Sequence, residues 1–255
     1  MIPRDDLTKY FDTLLVPGFF EDYSPNGLQV EGKHSVKKLA FAVSATQDSI
    51  REALAWGADG LVVHHGFFWK HQGSRPLTGG WGQRVMGAVK AELNVWGYHL
   101  PLDAHEEVGN AVAFAEALGI KDLSPFALYK KKPLGAKGVL AHPMSAQKFQ
   151  EHLQKTLNHS VVMASHDPNS IITTVGIITG GANNEWTQAL DAGLDAYVTG
   201  EISEYNWHDC REAKLHYFAG GHHATEKFGI QKLMAKTLKD KAGIEVKFFD
   251  SPNPA

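Results

Sequence analysis

From Lys38 onward, apolar residues fall into short β-branched runs separated by helical stripes, the alternation of βα units. Before that point, Leu7, Tyr10, Phe11 and Leu14 have helical spacing within Asp5 to Leu15, and Pro17-Gly18 stops the helix. Asn26-Gly27 marks a turn into a short alternating strand at Leu28 and Val30. Leu39 to Val43 predicts a strand and Thr46 or Asp48 a helix cap. Ile50, Ala53 and Leu54 give that helix its buried stripe, and Gly57 ends it. Leu61, Val62 and Val63 are too short a run for a core helix and read as a buried strand of a parallel sheet. Residues 67 to 80 then form a loop, Trp81 to Leu93 a helix, Asn94 to Asp103 a strand with a polar end, and Asn110 to Leu118 a helix ended by Gly119.

The middle of the chain, from about 122 to 170, differs in character: an exposed turn at Lys130 to Pro133, a strand over Gly138 to Ala141, a capped helix over Ser145 to Leu157 and a strand over Ser160 to Ala164. From Thr174 the βα pattern returns. A shift of 136 residues pairs Ala53 with Ala189, Leu54 with Leu190, Gly57 with Gly193, Asp59 with Asp195 and Val62 with Val198. The segments ALAWGADGLVVHH and ALDAGLDAYVTGE thus look like copies of one helix-strand unit. Two similar α/β lobes follow, expected at 1–125 and 126–255 and facing a shared cleft.

Composition narrows the partners. The chain has 255 residues, 43% hydrophobic, with 25 basic and 28 acidic residues for a net charge of −3, which leaves no electrostatic footprint for nucleic acid. No apolar segment reaches the roughly 18 residues of a membrane span. Asp5 and Asp6 stand where a signal peptide needs a basic start and an apolar core, so a cytoplasmic location is expected. Cys210 is the single cysteine, so a metal site would use nitrogen and oxygen ligands, for which fourteen histidines provide material.

His64 and His65 end the Leu61–Val63 run, at the carboxyl edge where open α/β sheets bind ligands. Adjacent strand residues point to opposite faces, so both can serve one cluster only where the strand is ending, a freedom ascribed to Gly66. Taken alone, the pair reads more readily as polar plugs at a strand end, and other ligands decide the question. Asp103 ends the run that starts at Asn94. His222 and Glu226 lie four apart at the start of a helix after Gly220-Gly221, on one helical face. That pair suits a common cation, and it also suits a helix start at which Glu226 satisfies early amides. Together His64, His65, Asp103, His222 and Glu226 are too rich for one structural zinc and suit two divalent ions, with hydrolytic chemistry. His99, Glu201 and His208 are candidate proton carriers or orienting groups, against the alternatives of a buried histidine, a helix-start acid and an exposed helix histidine. His105, Glu106 and Glu107 read as a solvated turn, and His142 and His166 as surface histidines. Phosphate-loop, dinucleotide, HExxH and GxSxG signatures are absent.

At NGLQVEG from Asn26, VVHHGFFWK from Val62, YHLPLDAH from Tyr98, VTGEISEYNWHDC from Val198 and GGHHATE from Gly220, the chain resembles the Nif-three-like dinuclear metal centre family, catalogued as GTP cyclohydrolase I type 2 homologues, in its bacterial YbgI type. The resemblance spans nearly the full length. It implies a three-layer α/β/α fold of two similar lobes, a ring-shaped homohexamer, and two metal ions per subunit, Zn, Mn, Fe or Ni. It also places the family's ligands on His64, His65, Asp103, His222 and Glu226. Gly66 and Pro101-Leu102 depart from the commoner family pattern in the manner of the YbgI type. The functional expectation is a dinuclear metal-dependent hydrolase of the cyclohydrolase type acting on a nucleotide-like or small anionic substrate. The alternative is a metal-binding hexameric scaffold or metal-handling protein without turnover.

Overall fold

The β-branched run at Leu61 does form a strand, and the strand carries straight on through both histidines. The computed structural model describes residues 1–255, which divide into two units: Met1–Leu102 with Ile230–Ser251, and Asp103–Gly229 with Pro252–Ala255. In the first, the chain runs β1 (Ile2–Pro3), α1 (Arg4–Leu15), β2 (Gly27–Val30), β3 (Ser35–Val36), β4 (Lys38–Ser44), α2 (Gln47–Trp56), β5 (Gly60–His65), α3 (Gly79–Lys90), β6 (Asn94–Gly97) and the single turn α4 (Leu100–Asp103). The second continues with α5 (Asn110–Ala117), β7 (Ile120–Tyr129), β8 (Lys132–Ser145), α6 (Ala146–Leu157), β9 (Val162–Ala164), β10 (Ile171–Ile177), α7 (Trp186–Asp191), β11 (Ala196–Thr199), α8 (Glu204–Glu212) and β12 (His216–Ala219). Helix α9 (His222–Asp240) then leads the chain back to the first unit, where β13 (Glu245–Phe248) ends it.

The first unit holds a five-stranded sheet in the order β13-β4-β5-β6-β2, parallel except for β2. Pleating sends Ala40, Ala42, Leu61, Val63 and Val95 to one face, against Ile50 and Ala53 of α2 and Val85 and Ala88 of α3. Phe11 of α1 packs on Trp96 and Tyr98, with ring centroids 6.1 and 5.9 Å away. Thr46 caps α2 through a reciprocal pair with Ser49, and Gly57 closes it at φ 80°.

The second unit is a six-stranded mixed sheet, β7-β8-β10-β11-β12-β9, in which β10, β11 and β12 run parallel. Phe114 of α5 and Phe149 and Leu153 of α6 pack with Val175, Val198 and Phe218. Ala189 of α7 and Cys210 of α8 pack with Tyr197 and Tyr217, side chains that pleating sends to the opposite face. A mixed α/β fold with helices on both faces of a sheet is therefore the architecture.

The repeated segments have matching local structure. The Asp59 carboxylate accepts the N–H groups of Lys37 and Lys38 at 3.0 and 3.2 Å, at the start of β4. Asp195 accepts those of Thr173 and Thr174 at 2.9 and 2.8 Å, in β10. Gly57 and Gly193 both stand in the left-handed region that ends the preceding helix.

Three expectations need correction, and a fourth, the strand over Gly138 to Ala141, is present but longer. The strand predicted over Asn94 to Asp103 stops at Gly97, because His99 N–H goes to Asn26 Oδ1 at 2.7 Å and Leu100 N–H to Asp22 Oδ2 at 2.9 Å instead of to a sheet ladder. Pro101, which has no N–H, then fits the first turn of α4. The strand predicted over Gly138 to Ala141 is the inner part of β8, in a long β7–β8 hairpin whose turn uses Lys130 and Lys131 at φ 46° and 69°. The cut at 125/126 is not the one the contacts draw, since β13 pairs with β4 and returns the carboxyl-terminal stretch to the first sheet. Gly66 is absent from the positive-φ glycines; its missing side chain instead admits the Gln29 amide, whose Nε2 would lie 2.3 Å from a Cβ there.

Candidate metal centre

In the first unit, His64 is fully buried and His65 half-buried at the end of β5, and their ring centroids are 4.5 Å apart. The strand end does bring both imidazoles to one place. His64 Nδ1 lies 3.1 Å from the Tyr98 carbonyl, which can only accept, so Nδ1 carries the proton and Nε2 the lone pair. His65 Nδ1 lies 3.0 Å from Ser44 Oγ. His99, just beyond β6, brings a third ring, 5.1 Å from His64 and 5.8 Å from His65 by centroid. One ligand atom from each of the three lies within 4.8 Å of the other two, a spacing that could hold a metal ion.

Asp22, which sequence reasoning missed, anchors His99. Its carboxylate accepts His99 Nδ1–H at 2.7 Å, the N–H groups of Tyr23, Ser24 and Leu100, and the Asn26 amide. Burial by itself would raise this carboxyl, but the bonds from His99, Asn26 and Leu100 outweigh it and hold it at about 2. The only local signal was the polar string Asp22-Tyr23-Ser24-Pro25-Asn26, which also reads as an ordinary turn.

In the second unit, Glu201 and His222 follow the ends of the neighbouring parallel strands β11 and β12, which is why residues 21 apart in sequence meet. His222 Nδ1–H donates to Glu201 Oε1 at 2.5 Å, and its Nε2 lies 3.3 Å from Glu226 Oε1 one helical turn on. Burial opposes charge on the ring, but Glu226 and then Glu201 prevail and lift His222 to about 9. Glu226 itself is buried, at 3% exposure. Gly180 leaves it room, since a Cβ there would sit 2.3 Å from Glu226 Oε1. Asp103, at the end of α4, accepts a bond from Asn110 Nδ2 at 2.8 Å. Asn110 is fully buried at the start of α5, and Gly229 makes way for it: a Cβ there would lie 2.2 Å from Asn110 Oδ1. Its orienting role was hidden behind an apparently routine helix start.

The remaining candidates stand apart. His208 is exposed on α8 and pairs with Glu204 at 3.6 Å. His105 Nδ1 accepts the N–H groups of Glu107 and Val108, closing a turn. His142 and His166 are exposed. No helix is long and apolar enough to cross a membrane. The donor chemistry in each unit, anchored imidazoles in the first and carboxylates with an imidazole in the second, fits a divalent metal with nitrogen and oxygen ligands.

Known proteins resemble the chain over most or all of its length. A 40% identical relative in Haemophilus influenzae, aligned over 234 residues and 92% of each chain, carries the name GTP cyclohydrolase 1 type 2 homolog. Among solved structures, the ybgI protein of unknown function matches with a TM-score of 0.92 and 36% identity, and TTHA1606 of Thermus thermophilus with 0.87 and 32%, both covering 100% of each chain. The model of the Duf34/NIF3 (NGG1p interacting factor 3) family matches residues 2–254, and the chain belongs to that family.

Proposed function

We propose that the protein is a dinuclear, divalent-metal-dependent hydrolase of the cyclohydrolase type, acting on a nucleotide-like or other small anionic substrate as a ring-shaped cytoplasmic homohexamer. In this reading His64, His65, Asp103, His222 and Glu226 are its metal ligands. The observation that carries this reading is the way these side chains are held: His64 by a backbone carbonyl, His65 by Ser44, Asp103 by Asn110, and His222 by Glu201. Metal-binding side chains fixed from behind in this way are a recurrent requirement of metal sites. The nitrogen and oxygen donors suit Zn, Mn, Fe or Ni.

A pair of divalent ions would supply Lewis acidity and an activated water. The chain's own residues do the rest. Glu201 holds the proton at His222 Nδ1, keeping Nε2 the donor nitrogen. Exposed on one side and bonded to His222 on the other, Glu201 is also placed to pass a proton to solvent. The relative's name directs the substrate search to GTP first.

Glu201→Gln separates turnover from metal handling. In a screen of GTP, other nucleotides and small phosphate or amide substrates, the wild type turns over at least one of them. Loaded at saturating metal, Glu201→Gln still holds two ions and loses rate by about 10-fold to 100-fold. A wild-type protein that holds two ions and hydrolyses nothing would favour the metal-binding scaffold, as would a variant changed only in metal affinity.

A further inference from the structure

His99 belongs to neither the five-residue ligand set nor the substrate reading, yet it is held from several sides. Its backbone N–H is bonded to Asn26 at 2.7 Å, its Nδ1 to Asp22 at 2.7 Å, and Trp69 stands edge-on to its ring with centroids 5.0 Å apart. Asp22 is buried, at 5% exposure, and every bond to its carboxylate comes from a donor. Such a carboxylate can only accept, so the proton of a neutral His99 ring sits on Nδ1 and the lone pair on Nε2. A carboxylate behind a histidine is the arrangement that orients metal-bound imidazoles and raises their basicity. His64 has the equivalent anchor in the Tyr98 carbonyl. The three rings therefore converge with their Nδ1 atoms turned to the protein.

We infer that His99 is a further metal ligand, binding through Nε2 beside His64 and His65, and that Asp22 is the positioning residue that makes it one. This rests on the metal-centre reading above. The result is a three-imidazole donor set of the kind that leaves a position open for water or substrate.

Two measurements on the full-length chain test it. On metal-free protein, nitrogen-15 imidazole spectra above the pH range where histidine titrates should show His99 protonated at Nδ1, and Asp22→Asn should shift that tautomer toward Nε2–H. Titration with Zn2+ alone should then show His99→Gln and Asp22→Asn binding at least one ion about 10-fold to 100-fold more weakly than wild type. His99→Gln leaves Asp22 and its turn in place, so it reports even if Asp22→Asn folds poorly. His99 protonated at Nε2, or His99→Gln with wild-type Zn2+ affinity, overturns the inference. His64→Ala separates the two readings: if it loses Zn2+ while His99→Gln does not, only this inference falls, and if neither loses it, the metal-centre reading falls too.

Discussion

His222 lies between two carboxylates, with Glu201 at its Nδ1 and Glu226 at its Nε2. With its folded value raised to about 9 against 6.5 for an unperturbed histidine, the proton it binds stabilises the metal-free fold fully below about pH 6.5, and that stabilisation is lost as pH rises through about 9. Denaturant unfolding of metal-free wild type and His222→Gln should therefore show a stability gap that narrows across that window. A gap that stays constant, or widens with pH, would contradict the pairing. Gly180 supplies a second residue-scale expectation, because its φ of 69° and the 2.3 Å approach of Glu226 to a Cβ leave no room for a side chain. Gly180→Ala should destabilise the fold by about 1–3 kcal/mol, readable by the same unfolding method, and weaken metal binding by displacing Glu226. The candidate ligands themselves were readable in the sequence because imidazoles and carboxylates cluster at strand ends. Asp22 and Asn110 were not, since each acts across a fold contact, on His99 77 residues away and on Asp103 from an unremarkable helix start.

At the level of elements, the repeat is carried by Asp59 and Asp195, each of which ties a helix-strand join to two consecutive backbone N–H groups at or in the strand before the helix. Three charge-assisted bonds are lost in each alanine variant, the third coming from Lys33 Nζ to Asp59 and from the Thr174 hydroxyl to Asp195, so Asp59→Ala and Asp195→Ala should each cost at least about 2 kcal/mol, with similar losses of thermal stability. A large effect at one and none at the other would argue against equivalent roles. These joins were visible because a helix, a glycine, an aspartate and a β-branched run follow in fixed order. The β7–β8 hairpin was hidden for the converse reason: its turn places lysines rather than Asn-Gly at positive φ, and Pro125 interrupts the pattern of β7. Strand β13 was missed because Glu245-Val246-Lys247-Phe248 is short, and periodicity does not say which sheet a strand joins.

For the whole molecule, chain order and spatial grouping part company, since residues 230–251 return to the unit that begins at Met1. Hydrophobic patterning found the two βα halves but had no means of assigning that return. His64 and Glu226 are both among the proposed ligands, so His64→Ala and Glu226→Ala should each lose at least one ion while keeping the fold, as judged by circular dichroism and elemental analysis. Unchanged metal content in both variants would remove the ligand assignment. The most direct test is the divalent metal content per chain of protein purified without a polyhistidine tag. The dinuclear centre predicts two equivalents, reduced together with activity by chelation, and a content of one or none after supplying Zn, Mn, Fe and Ni in turn would contradict it.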